Sequence, residues 1–217
     1  MESKTLKRAN TTESKEYRKN TILEAATQLF FDNPTQLPTV SAISKACGIA
    51  KGTIYIYFTS KEEIFLEIIN NLFKEFVSNT DNIVRESENK EDKIEYIISS
   101  LCDYYNENSM LVILAGFSNV IIEHNIDIDA ATDHKISLQK QVLELGCVLA
   151  EIIDRDELFC ASLLLRTYAI TIGIARVSIL PKKVKEIHKN EGAQFIAPEF
   201  RNELYNTLKP FWIGSLS

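Results

Sequence analysis

Side chains suited to contacting nucleic acid are concentrated in one short stretch of the N-terminal third of the chain. Lys51 can donate to guanine edges or to phosphate, and Thr53 can hydrogen-bond a base or touch a thymine methyl group. Tyr55 and Tyr57 offer hydroxyl donors to phosphates, which position a protein on DNA without recognising its sequence. Lys61 adds a cation where a further helix begins, and helix N-termini attract anions. These residue types predict a DNA-binding surface.

Two short helices joined by a tight turn would present these side chains. Thr39 can cap a second helix that runs through Ala46. Gly48 stands at the turn, where a residue tolerant of positive φ is needed, and a third helix follows from about Ala50 to Tyr57. The inward-facing residues would be Val40, Ile43, Ala46, Ile49 and Ile54, with Cys47 beside them. The candidate DNA contacts on the other side are Thr39, Ala50, Lys51, Gly52, Thr53, Tyr55, Tyr57 and Lys61.

Helices on either side of this motif complete a three-helix unit and lead out of it. An amphipathic pattern predicts a first helix from Lys15 to Phe31, ended by Asp32-Asn33-Pro34. Residues 1–14 are expected to form a disordered basic arm, and 15–60 the DNA-binding domain. Ser60 and Glu63 have capping-box spacing for a fourth helix that carries Ile64, Phe65, Ile68, Leu72 and Phe76.

The remaining chain predicts an all-α protein, because helical periodicity recurs and strand-type alternation is scarce. The polar segment from Ser87 to Asp92 separates the fourth helix from later ones. Pro210 is expected to kink or end the last helix, since proline lacks a backbone N–H. The later helices are predicted at Asp92–Asn106, Met110–His124, Ala130–Ile153, Asp156–Leu180 and, after a polar stretch Pro181–Ala193, Pro198–Trp212.

The N-terminal region resembles the DNA-binding domain of TetR-family regulators over about residues 18–66. The resemblance rests on Ile22-Leu23-x-Ala25-Ala26-x-x-Leu29-Phe30, on Thr39-x-x-x-Ile43, and on the run from Gly48-Ile49 through Lys51-Gly52-Thr53-Ile54-Tyr55-x-Tyr57-Phe58 to Lys61-Glu62-Glu63. The family commonly has serine or threonine where this chain has Ala50, so a hydroxyl that could cap the third helix is missing.

That resemblance implies that residues 61–217 form a helical ligand-binding and dimerisation domain, with the last two long helices in a four-helix dimer interface. Independently, a protein that recognises a palindrome must be two-fold symmetric. The aromatic residues indicate a mostly apolar ligand, although ordinary core packing would explain the same residues. The candidate ligand contacts are Tyr104, Tyr105, Phe117, Asn119, Gln141, Arg166 and Tyr168.

Charge is divided unevenly along the 217 residues. Residues 1–61 contain nine Lys/Arg and five Asp/Glu, whereas residues 62–217 contain fifteen and twenty-five, which together give the net charge of −6. The excess of positive charge in residues 1–61 therefore places a phosphate-attracting electrostatic field at the motif, whereas residues 62–217 are acidic. The polar N-terminus is not a signal peptide, and no apolar run is long enough to span a bilayer, so we expect a cytoplasmic protein without a membrane partner.

Other chemistries have weaker support. The four cysteines are widely spaced and suggest reduced, packed thiols. No catalytic or nucleotide-binding motif is present, so we expect neither an enzyme nor a cofactor. A divalent metal could in principle bind Glu123, His124, Asp127, Asp129, Asp133 and His134, but a solvated helix connection is the favoured interpretation, and no metal is expected.

The expected function is a homodimeric repressor that binds double-stranded DNA at a palindromic operator and is released by a small-molecule effector. The sequence leaves open an activator, a DNA-binding protein without an effector, and a helical ligand carrier or enzyme with a vestigial N-terminal unit.

Overall fold

A computed structural model describes residues 2–34, 36–118, 128–179 and 199–217. In these ranges the regular structure is entirely helical, which confirms the predicted all-α class. The helices are α1 (Glu2–Asp32), α2 (Val40–Cys47), α3 (Lys51–Ile54), α4 (Lys61–Ser87), α5 (Lys93–Glu107), α6 (Ser109–Ala115), α7 (Ile128–Ile153), α8 (Glu157–Ser178) and α9 (Phe200–Leu216). The predicted polar stretch Pro181–Ala193 and Pro198 lie outside the described residues.

Packing divides the chain into two units, and the division falls after Ile69, inside α4. The described residues up to 69 belong to the first unit and those from 70 onward to the second. The first residues of α4 therefore complete the core of the first unit. The Phe65 ring lies 6.0 Å from the Phe30 ring of α1, and Lys19 forms a 2.7 Å ion pair with Glu67.

The core of the first unit follows the predicted apolar pattern with one exception. Val40, Ile43 and Ile54 are buried as expected, but Ala46 is exposed. Helical geometry explains the error, because residues advance by about 100° each around the axis. Cys47 therefore returns to within about 20° of Val40, whereas Ala46 lies about 120° away from it.

The first helix is longer than predicted and the third is shorter. α1 begins at Glu2, where the sequence predicted a disordered arm, and residues 2–14 contain no glycine or proline that would end a helix. α3 ends at Ile54 rather than Tyr57, because the following backbone tightens into a three-residue turn. There the N–H groups of Ile56 and Tyr57 donate to the carbonyls three residues earlier, at 3.2 and 2.9 Å.

The core of the second unit is assembled from α5, α7, α8 and α9. α5, α7 and α8 begin and end within two residues of their predicted limits. The indole Nε1 of Trp212, which is fully buried, donates to the Thr167 hydroxyl at 2.8 Å and so ties α9 to α8. All four cysteines are free thiols, as predicted, and burial raises the pKa of Cys102 to about 12 and that of Cys160 to about 11.

The structure differs from two helix predictions in this unit. The helix expected from Met110 ends at Ala115, where the Arg176 side chain donates to the Gly116 carbonyl at 2.6 Å; its predicted end at His124 lies outside the described residues. α9 continues through Pro210 to Leu216, beyond the predicted limit at Trp212. Leu208 and Trp212 on either side of the proline are fully buried, so packing holds the helix together despite one missing hydrogen bond.

Helices α7 and α8 approach closely at Gly146. A Cβ atom placed there would lie 2.7 Å from the Ala161 methyl group, so the contact requires glycine. α8 is the one described helix that is long and apolar enough to cross a membrane, and 39% of that apolar window is buried inside the chain. The opposite face is exposed at Leu158, Leu165 and Val177.

Candidate nucleic-acid interface and effector site

The turn between α2 and α3 is fixed by local hydrogen bonds. The Thr39 hydroxyl accepts from the Ala42 N–H at 3.2 Å and caps α2, as predicted. Gly48 ends that helix with φ of +67°, in the left-handed region that the sequence indicated. The Ser44 hydroxyl, which the sequence reading did not single out, donates to the Ile49 carbonyl at 2.7 Å and closes the turn.

The start of α3 lacks a side-chain cap. Ala50 occupies the N-cap position and makes no side-chain hydrogen bond, in keeping with the missing hydroxyl noted in the sequence. Its carbonyl accepts from the N–H groups of Thr53 and Ile54, at 2.8 and 3.2 Å. Backbone bonds alone therefore define this short helix.

All eight candidate DNA contacts lie in the first unit and retain access to solvent. Thr39, Ala50, Lys51, Gly52 and Tyr55 are exposed, whereas Thr53, Tyr57 and Lys61 are partly buried. Apolar side chains fill the opposite side, with Ile43 and Ile54 fully buried and Phe58 at 3% exposure.

One residue of this surface was missed. Ile56 is 76% exposed although it stands between two predicted contacts. The signal was present in the sequence, because Ile54 and Phe58 occupy the core positions of the same turn and leave Ile56 outside.

The start of α4 is fixed by two hydroxyl groups and one carboxylate. The Ser60 hydroxyl accepts from the Glu63 N–H at 3.1 Å, which is one half of the predicted capping box. The Glu63 carboxylate binds the backbone N–H and hydroxyl of Thr59, one residue earlier than the predicted partner. Lys61, in the first turn, has its ammonium 3.8 Å from the Glu62 carboxylate.

In the second unit, three of the predicted ligand contacts meet in one aromatic cluster. Tyr104, Tyr105 and Tyr168 surround Phe76 of α4, whose ring centroid lies 6.2, 5.5 and 6.4 Å from theirs. Phe76 was recognised in the sequence only as part of the apolar stripe of α4. No sequence pattern indicated that this stripe meets the tyrosines of α5 and α8.

The hydroxyl group of Tyr105 lies among these rings without a hydrogen-bond partner in the described chain. The residue is 4% exposed, and no hydrogen bond of ordinary geometry reaches its hydroxyl within the described chain. Its polar neighbour, the Thr171 hydroxyl, donates to the Thr167 carbonyl at 2.8 Å. Burial raises the pKa of Tyr105 well above its ordinary value, so the phenol stays protonated and can donate. Burial also raises the pKa of Tyr168 to about 12.

Three of the other predicted ligand contacts make interactions with other residues. Phe117 lies under the Arg176 guanidinium, at 5.3 Å from its ring centroid. Gln141 donates to Ser137, and Arg166 is exposed and donates to Ser162 at 2.9 Å. Asn119 lies outside the described residues.

A separate surface cleft of about 250 Å³ lies between the beginning of α5 and the end of α9. Its charged groups satisfy one another, since Lys209 lies 3.0 Å from the Glu95 carboxylate and Tyr205 donates to the same group. These bonds lower the pKa of Glu95 and raise that of Lys209. In the described ranges no three His, Cys, Asp or Glu side chains converge on a metal position, and Glu123, His124 and Asp127 fall outside those ranges.

Comparison with known proteins matches both units to one family. The family model described as "Bacterial regulatory proteins, tetR family" matches residues 22–68, and the one described as "Tetracyclin repressor-like, C-terminal domain" matches residues 70–217. The two models together cover almost the whole chain, and their boundary coincides with the division between the packing units.

Three individual proteins illustrate the likeness. The chain is 31% identical over 78 residues to the fatty acid metabolism regulator protein of Bacillus subtilis, a match covering 36% of this chain and only 40% of that protein's length. It is 23% identical over 164 residues to the HTH-type transcriptional activator FasR of Mycolicibacterium smegmatis, covering 75% of this chain and 69% of FasR. A solved structure of the transcriptional regulator FadR from Bacillus subtilis, in complex with stearoyl-CoA, superposes with a TM-score of 0.53 at 18% identity, over 87% of this chain and 96% of FadR.

These relatives are transcriptional regulators, and the FadR superposition shows the shared helical fold. The resemblance noted in the sequence is therefore confirmed over both units. The chain belongs to the TetR family of bacterial regulatory proteins, with a DNA-binding helix-turn-helix followed by the family's helical C-terminal domain.

Proposed function

We propose that this protein is a homodimeric repressor that binds a palindromic operator and releases it when a small, mostly apolar ligand binds. The observation that carries the DNA-binding part is the division of residues 39–61 into two sides. One side is an apolar core and the other an accessible set of hydroxyl, phenol and ammonium groups.

In this proposal the beginning of α3 enters the major groove. Lys51 and Thr53 contact base edges there, and Gly52 lets the backbone approach closely. Thr39, Tyr55, Tyr57 and Lys61 bind phosphates and fix the register. Two such units in a symmetric dimer would recognise half-sites about one helical turn apart, or about 34–36 Å from centre to centre.

The exposed face of α8 supports a dimer. Leu158, Leu165 and Val177 are 68%, 56% and 56% exposed, and all belong to a helix whose other face is in the core. The exposed residues Ala169 and Gly173 between them are small, so a second helix could approach closely. A row of apolar side chains along a long helix is the type of surface that subunit interfaces bury.

The aromatic cluster supports an effector with a long apolar part and a polar atom. Its rings offer apolar walls, and the Tyr105 hydroxyl offers a buried donor without a partner in the described chain. The similar protein FadR is known in complex with stearoyl-CoA. We therefore propose a long-chain fatty acyl thioester as the effector of this chain.

Helix α4 is the proposed transmitter. It begins at Lys61, among the proposed phosphate contacts, and its residue Phe76 packs in the aromatic cluster. A ligand that displaces Phe76 would move the same helix that carries Lys61. By general precedent such coupling between two sites amounts to about 1–3 kcal/mol.

The test is a titration of the purified protein on fluorescently labelled DNA from the region upstream of its own gene. We expect sequence-dependent binding at micromolar concentration or below, and a decrease in affinity when stearoyl-CoA is added. Free coenzyme A is the matched control, because it lacks the acyl chain. If ligands that demonstrably bind leave the DNA affinity unchanged, the release mechanism is wrong. If the protein prefers no particular DNA sequence, the proposal that it is a transcriptional regulator is wrong.

An activator is the second candidate, because one of the similar proteins, FasR, is named a transcriptional activator. The two candidates differ in the sign of the transcriptional response. Transcription in vitro from the bound promoter should fall on addition of the protein if it represses and rise if it activates.

A further inference from the structure

Ile56 is a large apolar residue that the fold leaves in solvent beside the candidate DNA contacts. Its side chain is 76% exposed, whereas Ile54 and Phe58 in the same turn are at 0% and 3%. The core of the first unit is therefore complete without Ile56. A large apolar side chain held in solvent on a DNA-binding surface is available for a contact made only in the complex.

The position of Ile56 relative to Gly52 defines that contact. Backbone hydrogen bonds of mixed three- and four-residue spacing run from Ala50 to Phe58, and residues 52 and 56 are both exposed whereas Ile54 between them is buried. A helical side chain leans over the turn that precedes it, so Ile56 extends toward the side of the turn that carries Gly52. A Cβ atom built on Gly52 would meet nothing within 4 Å. Gly52 therefore leaves open space on the side where Ile56 is exposed, and we call this pair of residues the notch.

The surroundings of the notch identify its partner. Lys51 and Tyr55 beside it are exposed and polar, and the first 61 residues have an excess of positive charge. An anionic duplex is the complementary surface. In the major groove the 5-methyl group of thymine is the prominent apolar feature among hydrogen-bonding base edges.

We infer that the notch formed by Ile56 and Gly52 receives a thymine 5-methyl group in each operator half-site, which makes Ile56 a specificity-determining residue. The inference rests on DNA binding by this unit and is independent of the effector and of the sign of regulation. Burial of one methyl group corresponds to about a fourfold change in affinity, or about 16-fold when both half-sites are changed.

The first experiment compares base preferences. The full-length protein and its Ile56→Ala variant each select binding sites from a random duplex library. We expect the variant to lose a preference for thymine at one position of each half-site and to keep the remaining preferences. Ile128→Ala is the control, because Ile128 is 77% exposed but belongs to the second unit; its selected sites should match those of the unaltered protein.

The second experiment removes the methyl group from the DNA alone. Thymine is replaced by uracil at the position that the selection identifies, and affinities are measured for both proteins on both duplexes. Replacement of thymine by uracil should lower the DNA affinity of the unaltered protein by about fourfold per half-site. The DNA affinity of Ile56→Ala should be the same on both duplexes within error.

Three results would overturn the inference. Identical selected sites for both proteins would remove Ile56 from base recognition, and an equal loss on uracil for both would assign the methyl contact to another residue. If the unaltered protein enriches no sequence at all, sequence-specific DNA binding itself is wrong, and the inference is wrong with it.

Discussion

The ammonium group of Lys61 lies 3.8 Å from the Glu62 carboxylate, and its side chain is 37% exposed, so it keeps access to a phosphate. We expect Lys61→Ala to weaken binding to all DNA sequences alike. The loss of one phosphate contact should reduce the slope of log affinity against log salt concentration by about 1.

Lys74→Ala is the matched control, since Lys74 is an exposed lysine of the same helix within the second unit. DNA affinities measured at several salt concentrations give the salt slope of each variant and of the unaltered protein. An unchanged slope for Lys61→Ala would remove this residue from the phosphate contacts.

Tyr105→Phe tests the buried phenol. A buried polar group without a partner costs about 1–3 kcal/mol, so removal of the hydroxyl should leave the free protein as stable as before or raise its free energy of unfolding. Binding of stearoyl-CoA should weaken if the hydroxyl donates to the ligand. Urea unfolding and ligand titration measure the two effects separately, and a variant with unchanged ligand affinity would exclude that donor role.

At the residue scale, the local role of a side chain was easier to predict from the sequence than the residues that it contacts. Thr39 could be assigned to a helix cap because its hydroxyl can accept a hydrogen bond from a free backbone N–H. Gly48 could be assigned to a turn because glycine tolerates a positive φ. The meeting of Phe76 with Tyr105 and Tyr168 depends on the packing of three helices and has no local signal. For the same reason, residue type alone could not show that Gln141 and Arg166 bond to Ser137 and Ser162 of their own helices, and their role as ligand contacts stays a prediction.

At the scale of the element, Gly48 and Gly52 form a natural pair for comparison. Gly48 has φ of +67°, where an alanine is strained, so Gly48→Ala should lower the free energy of unfolding by about 1–2 kcal/mol. Gly52 lies in α3 with a negative φ and open space around its Cβ position. Gly52→Ala should keep or raise stability by about 0.5–1 kcal/mol, while its added methyl group weakens DNA binding.

Urea unfolding and DNA titration of both variants separate the two roles of glycine. Equal effects of the two substitutions on stability would contradict the assigned turn. Unchanged DNA affinity in Gly52→Ala would contradict close approach of the backbone at that residue.

The contact between α4 and α7 predicts a dependence of stability on pH. His134, at 4% exposure, shares a hydrogen bond with Asn70 through Nδ1, and its Nε2 has no partner within the described residues. Burial, aided by the nearby charge of Lys135, lowers the pKa of His134 from its ordinary 6.5. The unfolded chain therefore binds the proton more readily, so stability is retained above pH 6.5 and decreases as the pH falls below it.

His134→Gln removes this titration and keeps a polar partner for Asn70. Between pH 7.5 and pH 5 we expect its free energy of unfolding to decrease less than that of the unaltered protein (an assay range of about 2.5 units around the ordinary histidine pKa). His124 and His188 are present in both proteins and cancel in the comparison. Parallel pH profiles would show that His134 takes no part.

Helix limits were predictable where a capping residue marks them and less so elsewhere. Asp92 and Asp156 cap α5 and α8 through their side chains, and both helices begin at the residue after the cap. The end of α6 depends on Arg176, which is sixty residues distant in the chain. The continuation of α9 through Pro210 depends on packing against α5 and α8. Local patterns contain neither effect.

At the scale of the whole molecule, the proposed dimer requires the exposed face of α8. Leu165→Glu should place two like charges in the interface and convert the dimer to a monomer, with loss of operator binding. Ile136→Glu is the control, because Ile136 is 59% exposed on α7, which is not one of the two helices expected in the interface. Sedimentation equilibrium gives the masses directly, and a dimeric Leu165→Glu variant would place the interface elsewhere.

Coupling between the proposed effector site and the operator must be reciprocal. If stearoyl-CoA weakens operator binding by a given factor, operator DNA must weaken stearoyl-CoA binding by the same factor. If α4 alone transmits the coupling, the effector and the DNA need not contact each other. It is enough that α4 has two positions and that each ligand favours one of them.

The hydrogen bond between Trp212 and Thr167 has a practical consequence. Trp212 is the single tryptophan of the chain, and it is fully buried in the core of the second unit. Its fluorescence is therefore a built-in optical reporter of that unit alone, with no competing indole near the DNA-binding surface. A change in emission on titration with unlabelled operator would report a response of the second unit to binding at the first, which makes the protein its own sensor of communication between its two units.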